Sequence, residues 1–581
     1  TGGGSQAASS PSDVEAAQAP IEILVAEDNE LNADIISSIL TEEGFSITGA
    51  VQGEAYRVHK LFDGSFTTDA EGKLHMGDIT LNTENQAKII DALKAVDVEV
   101  EDAKPESMSD AAWANHLTEK IAGLPEAKRQ SFGNKLAGML YDVDGAVTTT
   151  TGADGTADVA GLADGYYLIC ADKANSGEGY VATSAILVPV QGGKVAQGGD
   201  ESGGSVAVKK SVPTVTKQIK NDKEGRETVW DGDFGKVADA GIWNEGGSYE
   251  HISRVDYEIT GTVPSNIADF LGAYKYSIVD EIPDGMDAEF TNAFVNSYAQ
   301  LEVRGVTVEG HNADDPLILN LDQGVEMTVA EDGKTITWSV PDLKAALEDI
   351  GVADTDMKDV KLVASVTVST NDDDWWNGAH SLANPLVNTA HAEFSHVPYV
   401  TGEETNSTKD DQAKLYTYDL RIDKVDEAAE ALKGAKFTLT SPNYGHEDAY
   451  GRVDPVARDV TANDDGTFTF RGLEADVEYT LTETQVPAGH KAIDPIKFKI
   501  AATVSAEGDE VTAITATETA DPSNAATFTV EDATVVATVV NLAGPEMPVT
   551  GMAGIAGGLI AGGVLIAVSG VKLAKKQADE E

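Results

Sequence analysis

The sequence predicts a mainly β chain built as β-sandwiches in series, the first with helical insertions, and a transmembrane helix near the C-terminus. Three observations predict it. Short alternating strands separated by Gly, Asp and Pro turns recur from about residue 45 to about residue 543. Apolar residues at helical spacing interrupt only the first third of that run. Met552–Val571 carries no charge and is followed at once by Lys572, Lys575 and Lys576. About 20 residues at 1.5 Å rise span a bilayer of about 30 Å, and the basic tail is expected to stay cytoplasmic.

Composition narrows the function classes. At 581 residues the chain is too long for one ordinary domain. It has 41 basic against 98 acidic residues, a formal net charge of −57, which argues against a nucleic-acid backbone as partner. Such a surface suits an extracellular or cell-wall setting. Cys170 is the one cysteine, so an internal disulfide is excluded and stability must come from elsewhere. The chain opens at Thr1 with no hydrophobic leader, so a signal peptide is expected to have been removed or to lie upstream.

Residues 1 to about 20 are rich in Gly, Ser, Ala and Pro and read as disordered. "IEILVAEDNELNADIISSILTEEGF" then resembles the first strand and helix of a response-regulator receiver domain, with Glu27 and Asp28 at the strand end. No phosphoacceptor strand follows, so residues 1–44 read as a leader with a stray receiver-like fragment. Residues 45–208 form a first domain. In it "SITGAVQGEAYRVHKLFDG" is strand-like, Ile89, Ile90, Leu93 and Val96 mark one helix, and Trp113, Leu117, Ile121 and Leu124 mark another. Strands return at "GYYLICAD" and "TSAILVPVQ". The Gly-rich "QGGKVAQGGDESGGS" marks the boundary to a middle domain, 209–402, whose strands include "TVTKQIK", "RVDYEITGTV" and "TITWSV". The polar "TGEETNSTKDDQ" precedes a C-terminal domain, 403–544, that opens with "KLYTYDLRIDKV". Residues 545–581 form a last segment that holds the apolar span and the basic tail.

Strand parity places charged residues among apolar ones, because alternate side chains face the core. Lys424 shares the face of Tyr418, Leu420 and Ile422, and Lys217 that of Val215 and Ile219. Glu483 follows Tyr479 and Leu481, while Asp280 follows Tyr276 and Ile278. Asn388 aligns with Leu386 and Ala390, and Asn541 with Val535, Ala537 and Val539. A strand-end Lys can instead snorkel to water, and parity alone leaves both readings open. Each of the two blocks nevertheless offers an inward Lys on its first strand, an inward acid in its middle and an inward Asn on its last. A neutral buried amine is a nucleophile and the Asn amide carbon an electrophile. A carboxylic acid kept protonated by apolar surroundings can polarise that carbonyl and shuttle protons as ammonia leaves. The product is a Lys–Asn isopeptide bond. The first domain offers no comparable set.

Two motifs carry a family resemblance. "YTLTETQVPAGH" resembles the YxLxETxAPxGY box of Gram-positive pilins, with Val486 and His490 replacing Ala and Tyr. "MPVTG", Met547, Pro548, Val549, Thr550 and Gly551, resembles the LPxTG sorting signal and has the apolar span and basic tail that follow such signals. "VAVKKSVPTVTK" and "YRVHKLFDG" more weakly resemble the entries to the middle and first domains of SpaH/EbpB-type major pilins. The resemblance covers about residues 45 to 581.

The resemblance implies tandem Ig-like domains of CnaA and CnaB type and a role as the shaft subunit of a covalently polymerised pilus. A sortase would cut between Thr550 and Gly551, hold Thr550 as a thioester, and pass it to a Lys of the neighbouring subunit. In such pilins that Lys lies just before the middle domain, here Lys209 or Lys210. Lys209 is out of phase with Val206 and Val208, hence the more exposed candidate. The isopeptides implied are Lys424–Asn541 with Glu483 as proton shuttle, and Lys217–Asn388 with Asp280. Asp256 remains an alternative for the second acid, although it alternates away from Val255, Tyr257 and Ile259. Tip and base pilins, peptidoglycan and an unidentified host ligand would be the other partners. The competing reading is a monomeric wall-anchored adhesin. An enzyme acting on a separate substrate is disfavoured, because the sequence has no HExxH, GxSxG or phosphate loop, and no cofactor or metal is expected.

Overall fold

The computed structural model describes residues 44–545 except 146, 197–203, 222–241, 249–253, 289–298, 312–315, 370–381, 383, 403–404, 443–456, 461, 506–509, 520–525 and 532. The receiver-like leader, the residues Met547 to Gly551 and the expected span 552–571 therefore lie outside the described residues. Among the described residues no helix is long and apolar enough to cross a membrane.

The first domain is organised around the long strand Ala55–Thr68, which pairs antiparallel with Leu74–Leu81 on one side and Gly165–Ala171 on the other. A smaller sheet sets Gly44–Thr48 between the antiparallel Thr156–Ala160 and the parallel Ser205–Ala207. Both expected helices form, Gln86–Lys94 and Asp110–Ala122. Ser109 starts the second: its Oγ accepts from the Ala112 N–H at 3.1 Å, satisfying a donor that the first turn leaves open. A third helix, Glu126–Leu140, buries Phe132, Leu136, Ala137 and Leu140. Its inner face also contains Gly133 and Asn134, which erase the apolar periodicity that would have announced it.

The middle domain is a sandwich of two seven-stranded sheets among the described residues. One contains Val215–Asn221, Arg254–Thr262 and Lys361–Ser369; the other contains Tyr276–Glu281, Thr335–Val340 and Leu386–Phe394. Tyr257, Tyr274, Tyr276 and Trp338 fill the space between them, each less than 2 % exposed. Burying such aromatics removes roughly 150–250 Å² each from water and dominates the core energetics.

The expected single strand "KLYTYDLRIDKV" divides at Thr417. Asp411–Tyr416 pairs with Leu386–Phe394 and so completes the middle sandwich, while Tyr418–Val425 opens the last one. The boundary expected near residue 402 therefore falls at Thr417, because inter-strand pairing rather than polar composition decides which sheet a strand joins. Among the described residues the C-terminal domain packs a four-stranded sheet on a five-stranded one, with Tyr418–Val425 lying parallel to the last strand, Thr534–Val540.

After Phe394 the chain leaves the middle domain to clasp the first. The His396 carbonyl accepts from Ala182 N–H, and the Tyr399 hydroxyl accepts from Ala171 N–H at 2.9 Å. Asn406 Nδ2 donates to the Gly177 and Tyr180 carbonyls before Asn406–Ser407 rejoins Leu386–Phe394. From the first domain, Asn134 Nδ2 returns a bond to the Asp269 carbonyl at 2.8 Å. These bonds satisfy buried polar groups on both sides of the junction.

Candidate functional site: two buried lysine–acid–asparagine sets

In the middle domain Lys217 comes from one sheet, and Asp280 and Asn388 from the other. Asp280 stands opposite Ala390 in the antiparallel register, so Asn388, two residues along, shares its face diagonally. All three residues are fully buried. Lys217 Nζ lies 2.5 Å from Asp280 Oδ1 and 5.0 Å above the Tyr257 ring, while the Lys217 backbone N–H is held by Asp411 Oδ2 at 2.6 Å. Burial pushes the Lys217 pKa down and the Asp280 pKa up, so both shift toward the neutral forms that amide exchange requires. The Asn388 amide is near enough to temper the rise at Asp280, yet neither of its polar atoms completes a hydrogen bond among the described residues. Asp256 lies on another face: its Oδ1 accepts from Thr367 Oγ1 at 2.7 Å.

In the C-terminal domain Lys424 stands opposite Val539 on the paired first and last strands, and Asn541 is the first residue after the last strand ends at Val540. The ladder continues through Asn541 N–H to the Val425 carbonyl at 3.0 Å. Glu483 comes from the facing sheet, with its side chain wholly buried. Its Oε2 accepts from Asn541 Nδ2 at 2.9 Å and its Oε1 lies 4.0 Å from Lys424 Nζ, so one carboxyl touches both prospective partners. Burial lowers the Lys424 pKa to about 8. Asn541 Nδ2 also donates to the Lys491 carbonyl at 2.8 Å, leaving Oδ1 without a partner among the described residues.

The local sequence explains why the Glu483 strand is so placed. Tyr479 and Leu481 anchor it in the core, and Gly489, at φ +82°, turns the chain back. The returning segment grips the chain beyond Asn541: Lys491 N–H bonds the Leu542 carbonyl, and Gly544 N–H bonds the Gly489 carbonyl.

Each set can carry out the same chemistry. The neutral amine would add to the Asn Cγ, the carboxyl would pass its proton to the departing nitrogen, and the carboxylate so formed would take back the proton that the amine sheds. The C–Nδ2 bond would break, ammonia would leave, and a Lys–Asn amide would remain. The fold supplies the effective concentration that makes this feasible. In the middle domain the bond would tie the two sheets together, whereas in the last it would staple adjacent parallel strands. Parity found the six residues of these sets. It could not find Asp411, Tyr257 or the Lys491 carbonyl, which act through backbone atoms or from strands distant in sequence.

The two junction lysines are separated by their surroundings. Lys209 is exposed, with Nζ 3.1 Å from Gln130 Oε1, whereas the Lys210 side chain is buried against Glu54.

Comparison with known proteins matches residues 418–519, most of the C-terminal sandwich, to the model of SpaA, a prealbumin-like fold domain. None of the curated proteins matches the chain by sequence. Among solved structures the chain is similar to the T6 backbone pilin of serotype M6 Streptococcus pyogenes, at 13 % identity over 86 % of this chain and 98 % of that one, TM-score 0.43. It is similar to the major pilin SpaD of Corynebacterium diphtheriae, at 15 % identity over 87 % and 98 %, TM-score 0.40. The major pilin SpaA of Corynebacterium diphtheriae matches at 14 % identity over 86 % and 100 %, TM-score 0.38.

Proposed function

We propose that this protein is the structural shaft subunit of a covalently polymerised Gram-positive pilus, hardened by two internal isopeptide bonds. The observation that carries this reading is the pair of buried Lys–carboxyl–Asn sets, each gathering the first-strand Lys of a sandwich, an acid from the facing sheet and an Asn on or just beyond a late strand. A soluble binding domain gains nothing from burying reactive groups in this way, while a fibre under tension gains strands that cannot be pulled apart. The SpaA-type match of the C-terminal domain supports the same reading.

In this reading the sandwiches are of CnaA type in the middle and CnaB type at the end. Asp280 and Glu483 shuttle protons, and Lys217–Asn388 and Lys424–Asn541 form the bonds. The apolar segment 552–571 holds the chain in the membrane until a sortase cuts between Thr550 and Gly551. Thr550 is then passed to a lysine of the next subunit, or to peptidoglycan at the base. The protein would thus act outside the cell, in the pilus and wall, alongside tip and base pilins, and support adhesion without turning over a substrate.

Intact-mass measurement of the secreted chain tests the central step. Each bond removes one ammonia, about 17 Da, so two are expected to be missing. A mass equal to that of the unmodified sequence refutes the isopeptides. Sortase-dependent ladders on a denaturing gel separate a shaft subunit from a monomeric wall-anchored adhesin.

A further inference from the structure

Lys209 and Lys210 are neighbours in sequence and opposite in environment. Exposure alternates from Ser205 to Lys210, so successive side chains point outward and inward, and Lys209 falls on the outer side. The backbone here is pinned. Val208 N–H bonds the Thr48 carbonyl at 2.9 Å, Lys209 N–H bonds Thr183 Oγ1 at 2.9 Å, and Ser184 N–H reaches the Lys209 carbonyl at 3.4 Å.

The Lys210 side chain is 4 % exposed. Its Nζ donates to Glu54 Oε1 and, at 2.8 Å, to the Val181 carbonyl, and it lies 5.0 Å over the Tyr180 ring. Glu54 is itself held. Its Oε2 accepts from the Tyr56 hydroxyl at 2.7 Å and from Val51 N–H at 3.3 Å, and its backbone carbonyl accepts from Thr151 N–H at 2.8 Å. Extracting Lys210 would strand a carboxylate that is almost fully buried, which is costly.

We propose that Glu54 is a specificity-determining residue: by sequestering Lys210 in a closed cage it leaves Lys209, of the two, as the amine that accepts the incoming subunit. The inference rests on the shaft-subunit reading above and supplies the acceptor that reading leaves open. The accepting step balances without another reagent. The neutral Lys209 amine forms the new C–N bond to the Thr550 carbonyl, the C–S bond to the transpeptidase cysteine breaks, and the amine proton ends on the released thiol. Two equivalent acceptors would let successive subunits join in registers about 3.3 Å apart, whereas one sequestered lysine makes every junction the same.

Two measurements on the full chain test this. Brief acetylation with an N-hydroxysuccinimide ester, read by peptide mass spectrometry, is expected to modify Lys209 about ten-fold or more faster than Lys210, because Lys210 reacts only through local opening. Glu54→Gln is expected to close that gap, and equal rates in the unaltered protein overturn the proposal. In sortase polymerisation, Lys209→Ala is expected to abolish the ladder and the double variant Lys209→Ala with Glu54→Gln to restore it through Lys210. A misfolded domain cannot produce that rescue. Ladders carried by Lys210 in the unaltered protein, or no rescue when Lys210 labels freely, overturn the proposal. Protection of Lys210 with no cross-link at either lysine in any variant overturns the acceptor role, and with it the polymer reading at this junction, while leaving the sequestration in place.

Discussion

Glu483→Gln is the sharpest perturbation of the C-terminal domain. It keeps the volume of the side chain and its hydrogen-bonding capacity, but removes the carboxyl that lies 2.9 Å from Asn541 Nδ2 and 4.0 Å from Lys424 Nζ. Without that carboxyl nothing passes a proton to the leaving amide nitrogen, so the Lys424–Asn541 bond is expected not to form. The lost bond would have closed a loop of about 120 residues, and the chain-entropy relation for cross-links gives about 5 kcal/mol for such a loop. A domain of about 125 residues unfolds with an entropy near 0.26 kcal/mol/K, so its Tm is expected to fall by about 15–20 °C. Differential scanning calorimetry of the full chain measures that shift. Intact mass of the same sample should show one ammonia more than the unaltered protein. A variant that keeps the lower mass, or one that gains the ammonia yet melts within about 3 °C of the parent, refutes the reasoning.

Three further outcomes follow from the same structure. Asp280→Ala is expected to restore one ammonia and to destabilise the middle domain by about 3–5 kcal/mol, because Lys217 is left buried and unpaired. Asp256→Asn should leave the loss of two ammonia molecules unchanged and cost about 1 kcal/mol for its weakened bond with Thr367; peptide mapping and denaturant unfolding distinguish the two. His59 supplies a pH dependence. Burial first, then Arg57 and Lys88, lower its pKa from 6.5 to about 4. The unfolded chain therefore takes up a proton that the native one refuses between pH 6.5 and 4. Stability of the first domain falls as the pH drops through that window, by up to roughly 3 kcal/mol. His59→Leu is expected to remove this component, and an identical slope in both proteins would sink the assignment.

Much of the site was legible because β-structure writes its geometry at a period of two. Lys217, Asp280, Asn388, Lys424, Glu483 and Asn541 each continue an apolar register, and each is found buried. The third helix escaped because its buried face includes Gly133 and Asn134, and Asn134 is there to bond the next domain rather than to fill a core. The break at Thr417 escaped because both halves of "KLYTYDLRIDKV" alternate equally well, and alternation does not say which sheet receives them.

What the sequence determined by itself is the inward or outward sense of each strand residue, and so the candidates for the two reactive sets. That information is local, since parity needs only the neighbours two positions away. The tertiary structure alone decided which candidates meet. Lys217 reaches Asp280 rather than Asp256 because the facing sheet, not the adjoining strand, lies beneath its amine. Lys210 is sheltered and Lys209 is not because Glu54, more than 150 positions earlier, is brought against the junction by the first domain. Contacts between residues so distant in sequence depend on how sheets stack and domains clasp, and no periodicity along the chain encodes that.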